Sequence, residues 1–283
     1  ILFYAYDNYS TLYEENFRFF SEIKYGIMVR TEKEMTMFYA YLRTLLSFLL
    51  WAINGNIHYH DKEKILPQEE NYILIAPHKT FWDPVFLGFA AAPKQFIFMA
   101  KKELFKDRGF GWWIRKCGAF PIDRENPGMA AIKYPVNMLK KSNRSLVMFP
   151  SGSRHSSELK GGVAVIAKSA KVKLMPATYV GPMSIKGLLA GERIDVAFGN
   201  PIDVSDIKRL DDAGTAEVTH RIETEFKRLN DYAASFQTKK KPNILTYIYR
   251  LPILILVAII LGLTYVFSYI ASFFWNPSVE LKK

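Results

Sequence analysis

The sequence predicts an α/β domain with a largely buried sheet, preceded by a short apolar helix and followed by a longer one. Three observations carry that prediction. Short apolar runs bounded by Pro, Gly or Lys recur between residues 72 and 199. Helical patterns separate several of them, and such alternation indicates a sheet covered on its faces. Residues 251–275 contain no charged side chain.

The elements follow in chain order. The chain has 283 residues and 49% of them are hydrophobic, enough for one core of ordinary size plus additional segments. Residues 1–34 are aromatic-rich, carry both signs of charge and do not resemble the rest. They read as an extension to which the sequence assigns no role, with Met35 or Met37 a more natural start and no signal-peptide pattern. Residues 35–57 read as a membrane-interface segment. Its apolar run, "MFYAYLRTLLSFLLWAI" at 37–53, is short for a spanning helix and carries Arg43. A helix lying in the interface, with Trp51 at its edge, suits it better than a buried soluble helix.

The body spans 58–237. "YILIA" (72–76), "FIFMA" (96–100), "SLVMFP" (145–150), "KLMPATYV" (173–180) and "RIDVAFG" (193–199) read as strands. "GGVAVIAKSA" (161–170) has helical spacing, and residues 216–236 place Val218, Ile222, Phe226 and Leu229 on one helix face. A basic linker (238–250) containing Lys239, Lys240 and Lys241 leads to 251–275. That last run is long enough to cross a hydrocarbon core of about 30 Å and is expected to be a transmembrane helix, the alternative being an embedded hairpin around Gly262. Tyr265, Tyr269 and Trp275 are expected near an interface. Positive charge before the helix places the domain in the cytoplasm, although Lys282 and Lys283 in the tail (276–283) count the other way.

Net charge is +11, which favours acidic partners: phosphates, anionic lipids or acidic proteins. Nucleic acid fits the charge but not the motifs, since zinc-finger spacing, RNA-recognition aromatics and a heptad-linked basic region are all missing. A lone cysteine, Cys117, excludes an internal disulfide and a multi-cysteine metal site, and reads as a buried small residue. His58 and His60 share one face of a strand and lack a third metal ligand nearby in sequence, so a solvent-facing strand is expected there. His220 reads as surface.

"APHKTFWDP" (76–84) holds the more informative histidine. Pro77 keeps Ala76 extended, so His78 sits where a strand gives out. Beyond Pro84 the chain turns apolar and helical. His78 and Asp83 are five apart, the wrong spacing for one helix face, so they meet only across a turn. If they meet, Asp83 fixes the imidazole tautomer and leaves Nε2 free to take a proton. Alternatively, Asp83 is simply a helix cap. No serine or cysteine nucleophile stands beside the pair, which suits direct attack by a substrate hydroxyl with the histidine as general base.

"GAFPIDR" (118–124), "FPSGSR" (149–154) and "LMPATYVG" (174–181) follow in order. With His-x4-Asp they make four ordered blocks, and "AKKELF" (100–105) and "RGFGWWIRKCG" (108–118) add to them. On these residues the chain resembles the glycerolipid acyltransferases, specifically the 1-acyl-sn-glycerol-3-phosphate acyltransferase family, over about residues 72–202. The resemblance implies a mixed, mostly parallel sheet flanked by helices. It also implies transfer of a fatty acyl group from acyl-ACP or acyl-CoA to the sn-2 hydroxyl of 1-acyl-glycerol-3-phosphate, making phosphatidic acid. No cofactor and no metal are called for.

On that resemblance His78 is the base and Asp83 its orienter. Arg154 is the first candidate for the phosphate, because a guanidinium fork grips two oxygens at once. Arg124 is the second, and Lys101, in the family's Lys-x-Glu-Leu pattern, the third. Ser151, Gly152 and Ser153 form the substrate loop, where Gly152 permits close backbone approach. The family usually has Glu where this chain has Ser151. That change either alters how the acceptor's glycerol is held or signals another acceptor. The partners implied are lysophosphatidate, an acyl thioester, an anionic membrane and, where it is the donor, an acidic acyl carrier protein. The rivals are an acyltransferase for glycerol-3-phosphate or another lysophospholipid, and a membrane-tethered lipid-binding protein without turnover. A soluble hydrolase lacks its Gly-x-Ser-x-Gly elbow here.

Overall fold

The computed structural model describes residues 37–80, 82–123, 126–152, 159, 161–238 and 245–275. The extension, the tail and the three linker lysines lie outside the described residues. Helix α1 (Met37–Ile53) opens the described chain. It is followed by β1 (Ile57–His60), β2 (Ile73–Ile75), α2 (Asp83–Ala90), β3 (Gln95–Lys101), α3 (Arg108–Lys116) and β4 (Ala119–Ile122). Then come α4 (Ala130–Lys141), β5 (Arg144–Met148), α5 (Gly162–Ala170), β6 (Leu174–Val180), α6 (Ile185–Leu189), β7 (Ile194–Phe198), α7 (Asp212–Ser235) and α8 (Leu245–Phe274).

Seven strands form one sheet in the order β1-β7-β6-β2-β5-β3-β4. Among the described strands the β6–β7 pairing is antiparallel and the other pairings run parallel. The sheet is therefore mixed and mostly parallel, as the resemblance implied. All five strands read from apolar runs are present, with ends shifted by a residue or two. Helical spacing at 161–170 and 216–236 corresponds to α5 and α7, and Val218, Ile222 and Leu229 are buried.

Alternation along the central strand β2 divides the core. Tyr72, Leu74 and Ala76 face a cluster that includes Leu50 of α1 and Phe86, Leu87 and Ala90 of α2. Ile73 and Ile75 face the opposite cluster, with Leu139 of α4, Val163 and Ile166 of α5, and Ile222 of α7. The chain thus leaves β2 toward one face of the sheet and leaves β5 toward the other. A crevice opens between two such neighbouring strands at their carboxyl ends, where open α/β sheets bind ligands.

α1 buries Tyr39, Leu42, Leu45 and Leu50 against the domain and leaves Met37, Tyr41, Phe48 and Trp51 partly exposed on its other face. In α8, residues Arg250–Phe274 are long and apolar enough to cross a membrane by length and composition. One side of α8 meets the domain through a polar seam. Tyr41 Oη lies 2.7 Å from Thr264 Oγ1, Trp113 Nε1 donates to Ser268 Oγ (2.6 Å), and Tyr265 Oη donates to Asp107. Arg250 stacks over Trp51 and donates to the Asn54 carbonyl (3.0 Å). Trp275 packs edge-on against Trp112 with the Lys116 ammonium over its ring. The aromatics expected near an interface are thus partly engaged with α3.

The smaller expectations fare unevenly. β1 is not simply solvent-facing, because all four of its residues are half-buried. His60 Nε2 lies 2.6 Å from Asp195 on β7, and His58 Nε2 lies 3.0 Å from Asn56 Oδ1. Both imidazoles serve the strand edge rather than a metal. Cys117, expected to be buried, is half-buried in the turn before β4, where desolvation pushes its thiol up to about 12. His220 is exposed, as read.

Candidate active site

β2 ends at Ile75, and Ala76 and Pro77 carry the chain off the sheet into a turn that closes at Asp83, the first residue of α2. Within that turn His78 Nδ1 stands 3.0 Å from Asp83 Oδ2. The same oxygen accepts from the backbone N–H groups of Lys79 (2.6 Å) and Thr80 (2.8 Å), and the Thr80 hydroxyl donates to Oδ1 at 2.5 Å. Asp83 is 1% exposed, so an ionised carboxylate here depends on these donors in place of water. The helix N-terminus adds favourable dipole. A five-residue separation is therefore bridged by a turn wrapped around the carboxylate.

The third motif block supplies the other wall. Phe149 follows β5, and its ring stacks on His78 with centroids 4.2 Å apart and planes 20° from parallel. Gly152 N–H donates to the Phe149 carbonyl (2.8 Å), closing a tight turn, and Gly152 has φ +69, a conformation that L side chains adopt poorly. Ser151 is buried beside it. The imidazole is thus held in orientation by Asp83 and in plane by Phe149. Nδ1 is taken, and Nε2 has no protein partner among the described residues.

His78 lines a cavity of about 280 Å³ whose other walls include Met99, Ile122, Ala131, Ile132, Met148 and Ile166. Gly152 and Gly162 also border it. The space is apolar, with a titratable imidazole on its wall. Such a site can seat a hydrocarbon chain with its reactive end at the base.

The remaining expected residues fall in three groups. Lys101 ends β3, is half-exposed and lies 3.7 Å from Glu103; it is not part of the cavity wall. Ser151 and Gly152 sit in the turn described above. Arg124, Ser153 and Arg154 lie outside the described residues. Sequence reasoning missed Thr80 and Phe149, which appear there only inside quoted motifs. The missed signal was the position of each beside a strand or helix end that carries motif residues.

A model of the Acyltransferase family matches residues 56–180. A 1-acyl-sn-glycerol-3-phosphate acyltransferase of Streptococcus pneumoniae (strain ATCC BAA-255 / R6) is 62% identical over 234 residues, covering 83% of this chain and 89% of the relative. The chain belongs to the 1-acyl-sn-glycerol-3-phosphate acyltransferase family. Another member, from Bacillus subtilis (strain 168), is 36% identical over 174 residues, 61% of this chain and 86% of the relative. The crystal structure of the Thermotoga maritima 1-acyl-sn-glycerophosphate acyltransferase is similar at 21% identity with a TM-score of 0.49, covering 70% of this chain and 79% of that one. In this acyltransferase the family-model match runs from just before β1 to the end of β6. It includes both strand ends that build the site, and α7 and α8 lie beyond it.

Proposed function

We propose that this protein acylates 1-acyl-glycerol-3-phosphate at its sn-2 hydroxyl, drawing the acyl group from a thioester and making phosphatidic acid. The observation that carries the reading is the 3.0 Å His78–Asp83 contact on the wall of an apolar cavity, in a chain of this family. The acceptor hydroxyl gives its proton to His78 Nε2 as its oxygen attacks the thioester carbonyl. Asp83 steadies the imidazolium that results. The tetrahedral intermediate then expels the thiolate, which takes the proton back from His78. Acyl-ACP and acyl-CoA both supply such a thioester.

Arg154, Arg124 and Lys101 hold the acceptor's phosphate in this reading, supported by their place in the family's motif blocks and, for the two arginines, by guanidinium geometry. Ser151, Gly152 and Ser153 form the loop beside the glycerol. The catalytic unit is residues 58–237. The protein associates with membrane, consistent with its lipid substrates and the outward apolar faces of α1 and α8. Lys239–Lys241 before α8 support a cytoplasmic location for the domain and attraction to anionic lipid.

The test uses purified protein in detergent with lysophosphatidate and each thioester in turn, His78→Ala alongside. The expected outcome is phosphatidate formation by the native protein and a loss of more than about 100-fold in the variant. Turnover by His78→Ala at the native rate would overturn the assignment. A preference for glycerol-3-phosphate, or for a lysolipid without a phosphate monoester, would move the reading to a different acceptor.

A further inference from the structure

Among the described residues, all four bonds to the Asp83 carboxylate come from residues 78, 79 and 80. The turn is therefore a local knot: these bonds fix His78 relative to Asp83 and themselves reach neither β5 nor β6. On the β5 side, Phe149 stacks on the imidazole. On the β6 side the tie is Lys79. Its Nζ donates to the Tyr179 carbonyl on β6 (2.8 Å) and to Asn230 Oδ1 on α7 (2.8 Å). β2 lies between β5 and β6 in the sheet, so the two ties grip the turn from opposite flanks.

We propose that Lys79 is a positioning residue for acyl transfer: its ammonium fastens the catalytic turn to β6 and α7 and so fixes where His78 stands relative to the cavity. The inference rests on the His78–Asp83 reading above. A half-buried lysine is a costly way to fill space. Burial holds its pKa below the ordinary value, while the Asp83 charge opposes that pull. An apolar side chain would pack there without that cost, whereas two directed hydrogen bonds define an orientation. A base displaced by about 1 Å loses on the order of 100-fold in rate, so orientation is where the lysine acts. Asn230 gains a function by the same geometry. It sits on α7 next to Leu229, which is buried in the cluster with Ala197 and Ala233, so its carbonyl oxygen is a firm anchor.

The experiment compares Lys79→Met, Asn230→Ala, Asn230→Asp, the Lys79→Met/Asn230→Ala pair and His78→Ala. Steady-state kinetics on lysophosphatidate are run well below each variant's melting temperature. Lys79→Met is expected to lower kcat about 10- to 100-fold, with KM within about two-fold. Asn230→Ala is expected to lower kcat less, and Asn230→Asp, which keeps an acceptor for Nζ, to stay within about three-fold of native. The double variant should be no worse than Lys79→Met alone, because both substitutions break one link. Unchanged kcat with only a lower melting temperature would overturn the proposal, as would a raised KM with kcat intact, the signature of a lysine that binds substrate. If Lys79→Met does not fold, the contrast between Asn230→Ala and Asn230→Asp decides: equal kcat in the two overturns it. Native turnover in His78→Ala sinks the catalytic reading instead, a result distinct from any of these.

Discussion

The Asp83 carboxylate takes its donors from three consecutive residues, and the Thr80 hydroxyl is the one whose removal is cleanest. Thr80 is 6% exposed, donates to Asp83 Oδ1 and accepts from the Trp82 N–H at 3.2 Å. Thr80→Val keeps the shape, strips one donor from a buried charge and leaves one backbone N–H without its acceptor. Stability should fall by about 1.5–3 kcal/mol, the usual worth of a hydrogen bond to a charged group. Because Asp83 then holds His78 less firmly, kcat should fall while KM stays close to native; Thr80→Ser should recover both. Denaturant melts and initial rates on the same samples check this, and an unchanged melt would show that water replaces the hydroxyl. At this scale the histidine and aspartate were legible, because a strand-ending Pro and a helix-starting Pro bracket them in sequence. Thr80, Lys79 and Phe149 were not. Their partners lie within a turn whose path the sequence does not specify, or across the sheet at Asn230 and Tyr179.

Among the elements, the edge strand β1 owes its position to an ionic clasp as well as to its parallel pairing with β7. Asp195 on β7 receives Arg193 Nε at 2.8 Å, His60 Nε2 at 2.6 Å and Gln237 Nε2 at 2.7 Å. His60 also stacks on Phe236, so the clasp ties β1 to the end of α7. Burial pushes the Asp195 carboxyl upward, but the Arg193 and His60 hydrogen bonds outweigh it and hold the group below its ordinary value. A depressed folded-state pKa contributes stability that is fully present above the unfolded value of about 3.9 and is lost as pH falls through the folded one. Thermal melts from about pH 7 down to about pH 3 should therefore show an acid limb that is shallower in Asp195→Asn, which has no proton to take up. An identical acid limb would assign that loss to other carboxylates. Short edge strands are also where the sequence was least readable. β4, "AFPI", carries Pro121, tolerated at a sheet edge yet counted against a strand by composition. α4 runs through Pro135, which interrupts any helical reading of 130–141. The central strands were legible because a parallel strand covered on both faces is an unbroken apolar run.

For the molecule as a whole, the two apolar helices are legible as apolar, but the division of their faces is not. Thr264, Tyr265 and Ser268 look like minor interruptions of a lipid-facing run. In the fold they form the seam to α1 and α3, and Ser268 is fully buried. Ile255, Ile259, Leu263, Val266 and Ile270 are left outward and exposed, continuous in character with Tyr41 and Phe48 of α1. Exposure of this much apolar surface marks a contact with lipid or protein, and the lipid substrate favours lipid. Each charge placed in the middle of an embedded apolar helix costs about 2.5–3.5 kcal/mol, so Ile259→Lys with Leu263→Lys should shift the protein strongly from vesicles to the aqueous phase. Neither side chain belongs to the seam or to the cavity at His78. Turnover on lysophosphatidate dispersed in detergent should therefore remain near native while turnover on vesicle-borne lysophosphatidate falls. Vesicle flotation of the double variant alongside the native protein measures the first effect and paired assays the second. Flotation equal to native would place the lipid contact elsewhere than on this face of α8, and equal loss in both assays would mean that the seam, not the membrane, had been disturbed.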